Sequence, residues 1–228
     1  MAVLLMPEIG QITTGEGPVQ AAAIRLGPFP RGAVLVLSDA GGLTESAGTM
    51  NELAQHGYET LAADLSEVSD DLAAVESLLG RLAEYGWDHE QIGIVGFGSG
   101  GWTALGVAAR FALGAAVSVA VPVRSGHTAE RVLASLQTPW LGLIGGRHPA
   151  RARLAAIART QARVHAELLH YPGTQERFYT SGSDVLGHAA AFDSRQRTVE
   201  WLNLRVVPRL TPRSLSWRAR RCTTAGTP

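Results

Sequence analysis

The stretch QIGIVGFGSGG, residues 91–101, decides the fold of this chain. It opens on the apolar run 92–95, which is short, β-branched and bounded by glycines, and so predicts a buried strand. Four glycines then fall within the six residues 96–101, and a segment of mostly small residues with helical character follows over 102–111. A buried strand that turns on glycine into a helix is typical of the parallel sheets of α/β proteins.

The glycines have the spacing of a nucleophile elbow, G-x-nucleophile-x-G, in which strand and helix approach closely and the flanking positions must be small. Gly96 and Gly100 meet this requirement when position 98 is the centre, but Gly98 has no side chain that could attack a substrate. Centring the turn on Ser99 would place the bulky Phe97 where a small residue is needed. Ser99 is therefore interpreted as a donor of its backbone N–H to an oxyanion hole, with a displaced serine nucleophile as the alternative.

Apolar runs alternate with amphipathic segments along the rest of the chain. This alternation predicts a three-layer α/β/α sandwich with a mostly parallel, doubly wound sheet. Side chains at the carboxyl ends of its strands are then the candidates for function. The predicted strands are 3–6 and 19–26 at an antiparallel edge, then 33–37, 60–63, 92–95, 115–121, 140–144 and 166–171. The predicted helices are 44–56, 70–85, 102–111, 150–164 and 189–206, the last with Phe192, Val199 and Leu202 facing inward, and 131–136 is a short helical or irregular piece.

Composition narrows the classes of function. The chain has 228 residues, a formal net charge of zero, and arginine as its only strongly basic residue type. The single cysteine, Cys222, excludes an internal disulfide and favours a reducing compartment. The apolar start 1–6 is too short for a signal peptide or membrane span. We therefore expect a soluble, cytoplasmic protein without a membrane or nucleic-acid partner, and the oligomeric state stays open.

Cofactor and metal motifs are weak. The spacing Gly96-x-Gly98-x-x-Gly101 matches a dinucleotide fingerprint, but no acid ends a strand about twenty residues later, as such a site requires. Neither HxxxH nor CxxC occurs. We expect no cofactor and no metal.

The last segment, 208–228, differs from the body. It carries five arginines and no acidic residue, which predicts an α/β domain over 1–207 followed by an arginine-rich, disordered tail. An electrostatic contact of this tail with an acidic partner is the alternative.

Taken in order, several segments resemble the dienelactone hydrolase family of the α/β-hydrolase superfamily. They are AVLVLSDAGGL from 33, LAQHGYETLAADL from 53, the elbow IGIVGFGSGG, TPWLGLIGGRHP from 138, YPGTQERF from 171 and AAAFDSRQRTVEWL from 189. The resemblance implies a compact enzyme fold whose Cys–His–Asp triad opens small lactones through an acyl-enzyme.

All three triad positions implied by this resemblance are substituted. Gly98 stands for the nucleophile, His148 for the acid and Glu176 for the base, so covalent hydrolysis by the usual triad is not expected. The exchanged types leave an imidazole and a carboxylate that can still pair and do acid–base chemistry without a covalent step. Decay of the triad is the alternative.

Two further residues complete the candidate site. Asp39 stands in the family's pocket-acid position, either as an acid–base group or as a cap. Arg124, after the strand at 115–121, suits a carboxylate on a substrate. The expected catalytic set is Glu176, His148, Ser99 and Asp39, and the expected substrate contacts are Ala40, Gly98, Ser99 and Arg124.

Two classes of function follow. The first is an enzyme on a small lactone, ester or polyketide-like molecule, acting as a non-covalent hydrolase, isomerase or cyclase. The second is a pseudoenzyme that binds a ligand or a partner. A serine esterase that uses Ser99 is a third, and Gly98→Ser is expected to fold.

Overall fold

The computed structural model describes residues 4–39, 42–121, 127–146, 151–180, 184–211 and 213–217. Within these ranges, no helix combines the length and the apolar character needed to cross a membrane. Cys222 and the end of the predicted tail, 218–228, lie outside them.

Eight strands form one sheet in the order β1-β2-β4-β3-β5-β6-β7-β8. The pairs β1–β2 and β2–β4 are antiparallel and the other five are parallel, so the predicted mostly parallel sheet with an antiparallel edge is confirmed. The strands are β1 Glu8–Thr14, β2 Gly17–Ile24, β3 Gly32–Leu37, β4 Tyr58–Asp64, β5 Ile92–Phe97, β6 Ala115–Val119, β7 Trp140–Gly145 and β8 Ala166–Tyr171.

Helices cover both faces of the sheet in the described part of the chain, which confirms the three-layer sandwich. The helices α1 and α6 pack on one face together with Val34, Val36 and Val95, whereas α2 to α5 pack on the other with Leu35 and Ile94. The alternation of these central-strand side chains between two apolar layers explains their continuous apolar runs. The helices are α1 Gly42–Gln55, α2 Asp71–Glu84, α3 Ser99–Arg110, α4 His127–Ala134, α5 Arg151–Thr160 and α6 Val185–Arg205.

The central strands end together at one edge of the sheet. Leu37 of β3 pairs with Gly96 of β5, and Phe97 of β5 pairs with Val119 of β6. The loops that follow these strands therefore meet, which brings Asp39 and the elbow into contact.

Three predictions about the termini and α6 are wrong. The first strand is Glu8–Thr14, and Leu4–Met6 are not in a strand. The helix α6 begins at Val185, where Asp184 caps it by accepting from the N–H of Gly187. Phe192, predicted to face inward, is 57% exposed, whereas Val199 and Leu202 are buried as expected. The apolar pattern of α6 is weak over its first turns, which explains the late predicted start.

The first arginine of the predicted tail contacts the body. Arg209 donates to the carbonyl oxygen of Gly86, and its guanidinium lies 3.5 Å from the centre of the Trp87 ring. The remainder of the tail prediction concerns mainly residues beyond 217 and stays a prediction.

Candidate functional site

The turn between β5 and α3 has the backbone of an elbow and requires its glycines. Gly98 adopts φ 52° and ψ −117°, a conformation that side-chain-bearing residues rarely adopt. A Cβ on Gly96 would lie 2.0 Å from the carbonyl oxygen of Gly100. The strand and helix therefore touch through backbone alone, as the sequence spacing predicted.

The space beside Gly98 is filled by the carboxyl group of Asp39. A Cβ built on Gly98 would lie 2.3 Å from Asp39 Oδ2 and 2.7 Å from Asp39 Oδ1. These distances are shorter than any real carbon–oxygen contact, so the carboxylate occupies the volume into which a residue at position 98 would project its side chain. Asp39 reaches this point from the loop after β3.

Among the described residues, Ser99, Tyr179 and Arg177 contact the Asp39 carboxylate. Its Oδ1 accepts from Ser99 Oγ at 2.9 Å and from the Ser99 backbone N–H at 3.3 Å. Its Oδ2 accepts from the hydroxyl of Tyr179 at 2.7 Å and lies 2.8 Å from Arg177 Nη2. The Asp39 side chain is only 11% exposed. Charge-assisted hydrogen bonds of this kind favour the ionised carboxylate.

The Ser99 N–H is the donor that the elbow geometry assigns to an oxyanion hole. Because it points to Asp39 Oδ1, a substrate oxygen would have to displace a carboxylate to use it. Burial, followed by the hydrogen bond to Asp39, raises the pKa of Tyr179 well above its ordinary value. Tyr179 therefore stays a neutral donor to the carboxylate at physiological pH.

An open cleft lies beside this network, between α1 and α6. Its volume is about 320 Å³, at the lower end of the range of about 300–1,000 Å³ typical of small-molecule sites. Phe97 and Tyr179 contribute aromatic surface, their ring centres 5.3 Å apart, and Asp39 lies at the cleft where it meets the elbow. The cleft and the elbow thus share residues.

The α1 wall of the cleft is polar. Glu45, Ser46, Thr49 and Glu52 line it, and none of the four has a hydrogen bond or an ion pair within the described ranges. Ser46 is only 3% exposed. Its hydroxyl has no partner among the described residues and reaches the cleft, where solvent or a ligand can hydrogen-bond to it.

Of the expected Glu176–His148 pair, only Glu176 lies within the described residues. Glu176 is exposed, and its Cγ lies 3.0 Å from where a Cβ on Gly146 would stand, so it packs against the start of the loop after β7. His148, Ala40 and Arg124 lie outside the described residues. The pair and the roles of Ala40 and Arg124 stay predictions.

His170 connects the two ends of the loop that carries His148. Its Nε2 lies 2.7 Å from the carbonyl oxygen of Gly146, and its Nδ1 lies 2.5 Å from Arg151 Nη1. Since the arginine can only donate, Nδ1 accepts and Nε2 carries the proton. His170 thus links Gly146 to Arg151, a contact that the sequence alone did not indicate.

No group of three or more His, Cys, Asp or Glu side chains is placed to hold a metal ion in the described part of the chain. The polar groups that do come together are Asp39, Ser99, Arg177 and Tyr179. In this arrangement Ser99, Arg177 and Tyr179 hold the carboxylate of Asp39 firmly, and a ligand can bind in the cleft next to it.

The sheet order, the glycine turn after β5 and the cluster at the strand ends define an α/β-hydrolase fold. The sequence model of the Dienelactone hydrolase family matches residues 65–205. The chain therefore belongs to the dienelactone hydrolase family, as the resemblance of its motifs predicted.

Solved structures agree on the fold. A Klebsiella pneumoniae protein assigned as a dienelactone hydrolase is 22% identical with a TM-score of 0.69, over 87% of this chain and 98% of that one. The dienelactone hydrolase of Anabaena variabilis is 19% identical with a TM-score of 0.65, over 88% and 98%. Carboxyl esterase 2 of Tuber melanosporum is 14% identical with a TM-score of 0.69, over 90% and 89%. A comparison with curated proteins gives no significant match.

Sequence reasoning missed Arg177, Tyr179 and the polar wall of α1. A signal existed for the wall, because 45, 49 and 52 recur at helical spacing. Tyr179 lies only three residues after Glu176, the position that the family resemblance singled out. Nothing in the residue pattern indicated that both Arg177 and Tyr179 would reach across to Asp39.

Proposed function

We propose that this chain is a small-molecule-binding member of the dienelactone hydrolase family that does not form an acyl-enzyme at its elbow. The ligand lies in the cleft between α1 and α6 and belongs to the lactone, ester or polyketide-like class. The observation that carries the proposal is the position of the Asp39 carboxylate, within 2.3–2.7 Å of any side chain that position 98 would project.

Two consequences of that position argue against nucleophilic turnover. Position 98 offers no oxygen or sulfur, and the space for one is filled. The Asp39 carboxylate, paired with Arg177 and hydrogen-bonded by Tyr179 and Ser99, is stabilised as an anion and is thereby a weaker base and nucleophile. The open cleft beside it needs none of these steps to bind a ligand.

The distance between the side chains of Ser99 and Asp39 supports a second candidate function, that of a serine esterase. Ser99 Oγ lies 2.9 Å from Asp39 Oδ1, within reach for a carboxylate to accept its proton. A third possibility, water activation by the predicted Glu176–His148 pair, is supported by the packing of Glu176 beside Gly146.

A turnover screen separates these functions. Wild type is assayed with p-nitrophenyl acetate and small lactones beside Ser99→Ala, Asp39→Asn and Glu176→Gln. The proposal predicts the same background rate for all four proteins. In parallel, calorimetric titration with the non-reacting ring alcohols and ethers that correspond to the lactones tests binding in the cleft.

Each contrary result identifies one alternative. Turnover that disappears in Ser99→Ala establishes the serine esterase. Turnover that survives Ser99→Ala and disappears in Glu176→Gln establishes acid–base hydrolysis. A wild type that binds none of the ring compounds contradicts the binding function.

A further inference from the structure

The α1 wall of the cleft presents two carboxylates and two hydroxyls. We propose that the cleft selects a ligand that carries a protonated amine, held by Glu52 and Glu45 with the hydroxyls of Ser46 and Thr49. This inference rests on the proposed binding function and names the ligand class for the same site.

The charges around the cleft favour a cation. Asp39, Glu45 and Glu52 line it, and Arg195 is the one cation among the described lining residues. Asp39 is neutralised by Arg177 at 2.8 Å, whereas Glu52 has no ion pair within the described ranges. Glu45 lies near enough to Arg177 to contribute to the raised pKa of that guanidinium, after the larger effects of Tyr179.

The polar wall is buried only in part: Ser46 is buried and Glu52 is half-buried, whereas Glu45 is exposed. Glu52 is half-buried on the side of α1 that faces the cleft, and Ser46, next to Glu45, is 97% buried without a hydrogen-bond partner among the described residues. An ammonium group has three donors and no acceptor, so it can satisfy a carboxylate and a hydroxyl oxygen together. A hydrogen bond to a charged group is stronger than one between neutral groups.

The aromatic surface of the cleft indicates the shape of the ligand beyond its amine. Phe97 and Tyr179 line the same cleft with ring centres 5.3 Å apart, which suits a flat or apolar body next to the amine. A small molecule with a ring and a primary amine therefore fits both the volume and the chemistry.

The test uses three probes of nearly equal size: benzylamine, benzyl alcohol and benzoate. Isothermal titration calorimetry at pH 7 is expected to give benzylamine the lowest Kd, about tenfold below that of benzyl alcohol, because one charge-assisted hydrogen bond is added. Benzoate is expected to bind more weakly than either.

Variants of matched charge localise the effect. Glu52→Gln should raise the Kd of benzylamine about tenfold and leave that of benzyl alcohol unchanged. Glu90→Gln, an exposed residue at the opposite end of the sheet, removes the same charge and should change neither. Ser46→Ala should raise the Kd of benzylamine by a smaller factor than Glu52→Gln does.

The outcomes distinguish the inference from the proposed function. Equal binding of benzylamine and benzyl alcohol, unchanged in Glu52→Gln, would leave a ligand-binding cleft but overturn its selection of amines. An equal loss in Glu52→Gln and Glu90→Gln would show a long-range charge effect and would also overturn it. Failure of all three probes to bind would contradict the binding function itself.

Discussion

The elbow and the α1–α6 cleft lie side by side at the carboxyl end of the sheet, and they differ in how their polar groups are hydrogen-bonded. At the elbow, Ser99, Tyr179 and Arg177 all direct donors at Asp39. In the cleft, Ser46 and Glu52 have no partner within the described ranges. The elbow groups are hydrogen-bonded to one another, whereas those of the α1 wall remain open to solvent.

This difference follows from the space beside Gly98. The Asp39 carboxylate fills the space beside Gly98 and accepts from the Ser99 N–H. The Asp39 carboxylate stabilises the turn, but it also engages the Ser99 N–H, so that another acceptor would have to displace it. The cleft shares Asp39, Phe97 and Tyr179 with this region, whereas its α1 wall is formed by other residues.

The largest expected effect is on the elbow backbone. Gly96→Ala should lower the free energy of unfolding by about 3 kcal/mol or more, because its Cβ would lie 2.0 Å from the Gly100 carbonyl oxygen. Urea denaturation measures it. Gly80→Ala, in α2 with nothing within 4 Å of the added Cβ, should instead stabilise by about 0.5–1 kcal/mol. Similar effects of the two substitutions would contradict the close approach.

Removing the carboxylate at the elbow should have the next largest effect. Asp39→Ala leaves the Tyr179 hydroxyl and the Ser99 N–H without this acceptor and should cost about 1–3 kcal/mol of unfolding free energy. Arg177 is half-exposed, so its ion pair with Asp39 contributes less, and Arg177→Gln should lower the unfolding free energy by about 0.2–1 kcal/mol. Equal costs in urea denaturation would show that the network is not centred on Asp39.

Tyr179 should make stability depend on alkaline pH. Burial raises the pKa of Tyr58, Tyr171 and Tyr179 above the ordinary value of about 10, so their stabilising effect is complete below pH 10. The free energy of unfolding should fall as pH rises above 10, because the unfolded chain then loses protons that the native state keeps. Urea denaturation between pH 9 and about 11 should show a shallower fall for Tyr179→Phe. An unchanged slope would mean that Tyr179 is not held neutral.

The smallest effect is expected in the cleft. Ser46→Ala should change the unfolding free energy by less than about 0.5 kcal/mol, or stabilise, since the Ser46 hydroxyl has no protein partner within the described ranges and alanine favours helix. Thermal denaturation without ligand measures this. A loss as large as that of Asp39→Ala would remove the contrast between the two regions.

The backbone of the elbow could be predicted from sequence because glycine spacing states a steric requirement directly. The strands 33–37 and 92–95 were equally clear, since burial on both faces leaves an uninterrupted apolar run. The start of α6 was missed because its first turns expose Val185, Leu186 and Phe192, so no inner stripe marks the helix.

The candidate site was predictable only in part. Asp39 and Ser99 were singled out by their positions after β3 and β5, but their mutual contact depends on the empty volume at Gly98. Gly98→Ser is still expected to fold, but the carboxylate must move first, because a Cβ at position 98 would lie 2.3 Å from Asp39 Oδ2. Arg177 and Tyr179 reach Asp39 from 138 and 140 residues away, a distance in sequence that no local pattern spans.

The central claim, that the Asp39 carboxylate occupies the place of a side chain at position 98, is tested most directly by a double-mutant cycle in unfolding free energy. Gly98→Ala, Asp39→Ala and the double variant are compared with wild type. The account predicts that the double variant loses at least about 1 kcal/mol less than the sum of the single losses, because the collision exists only when both side chains are present. Additivity within about 0.5 kcal/mol would contradict it.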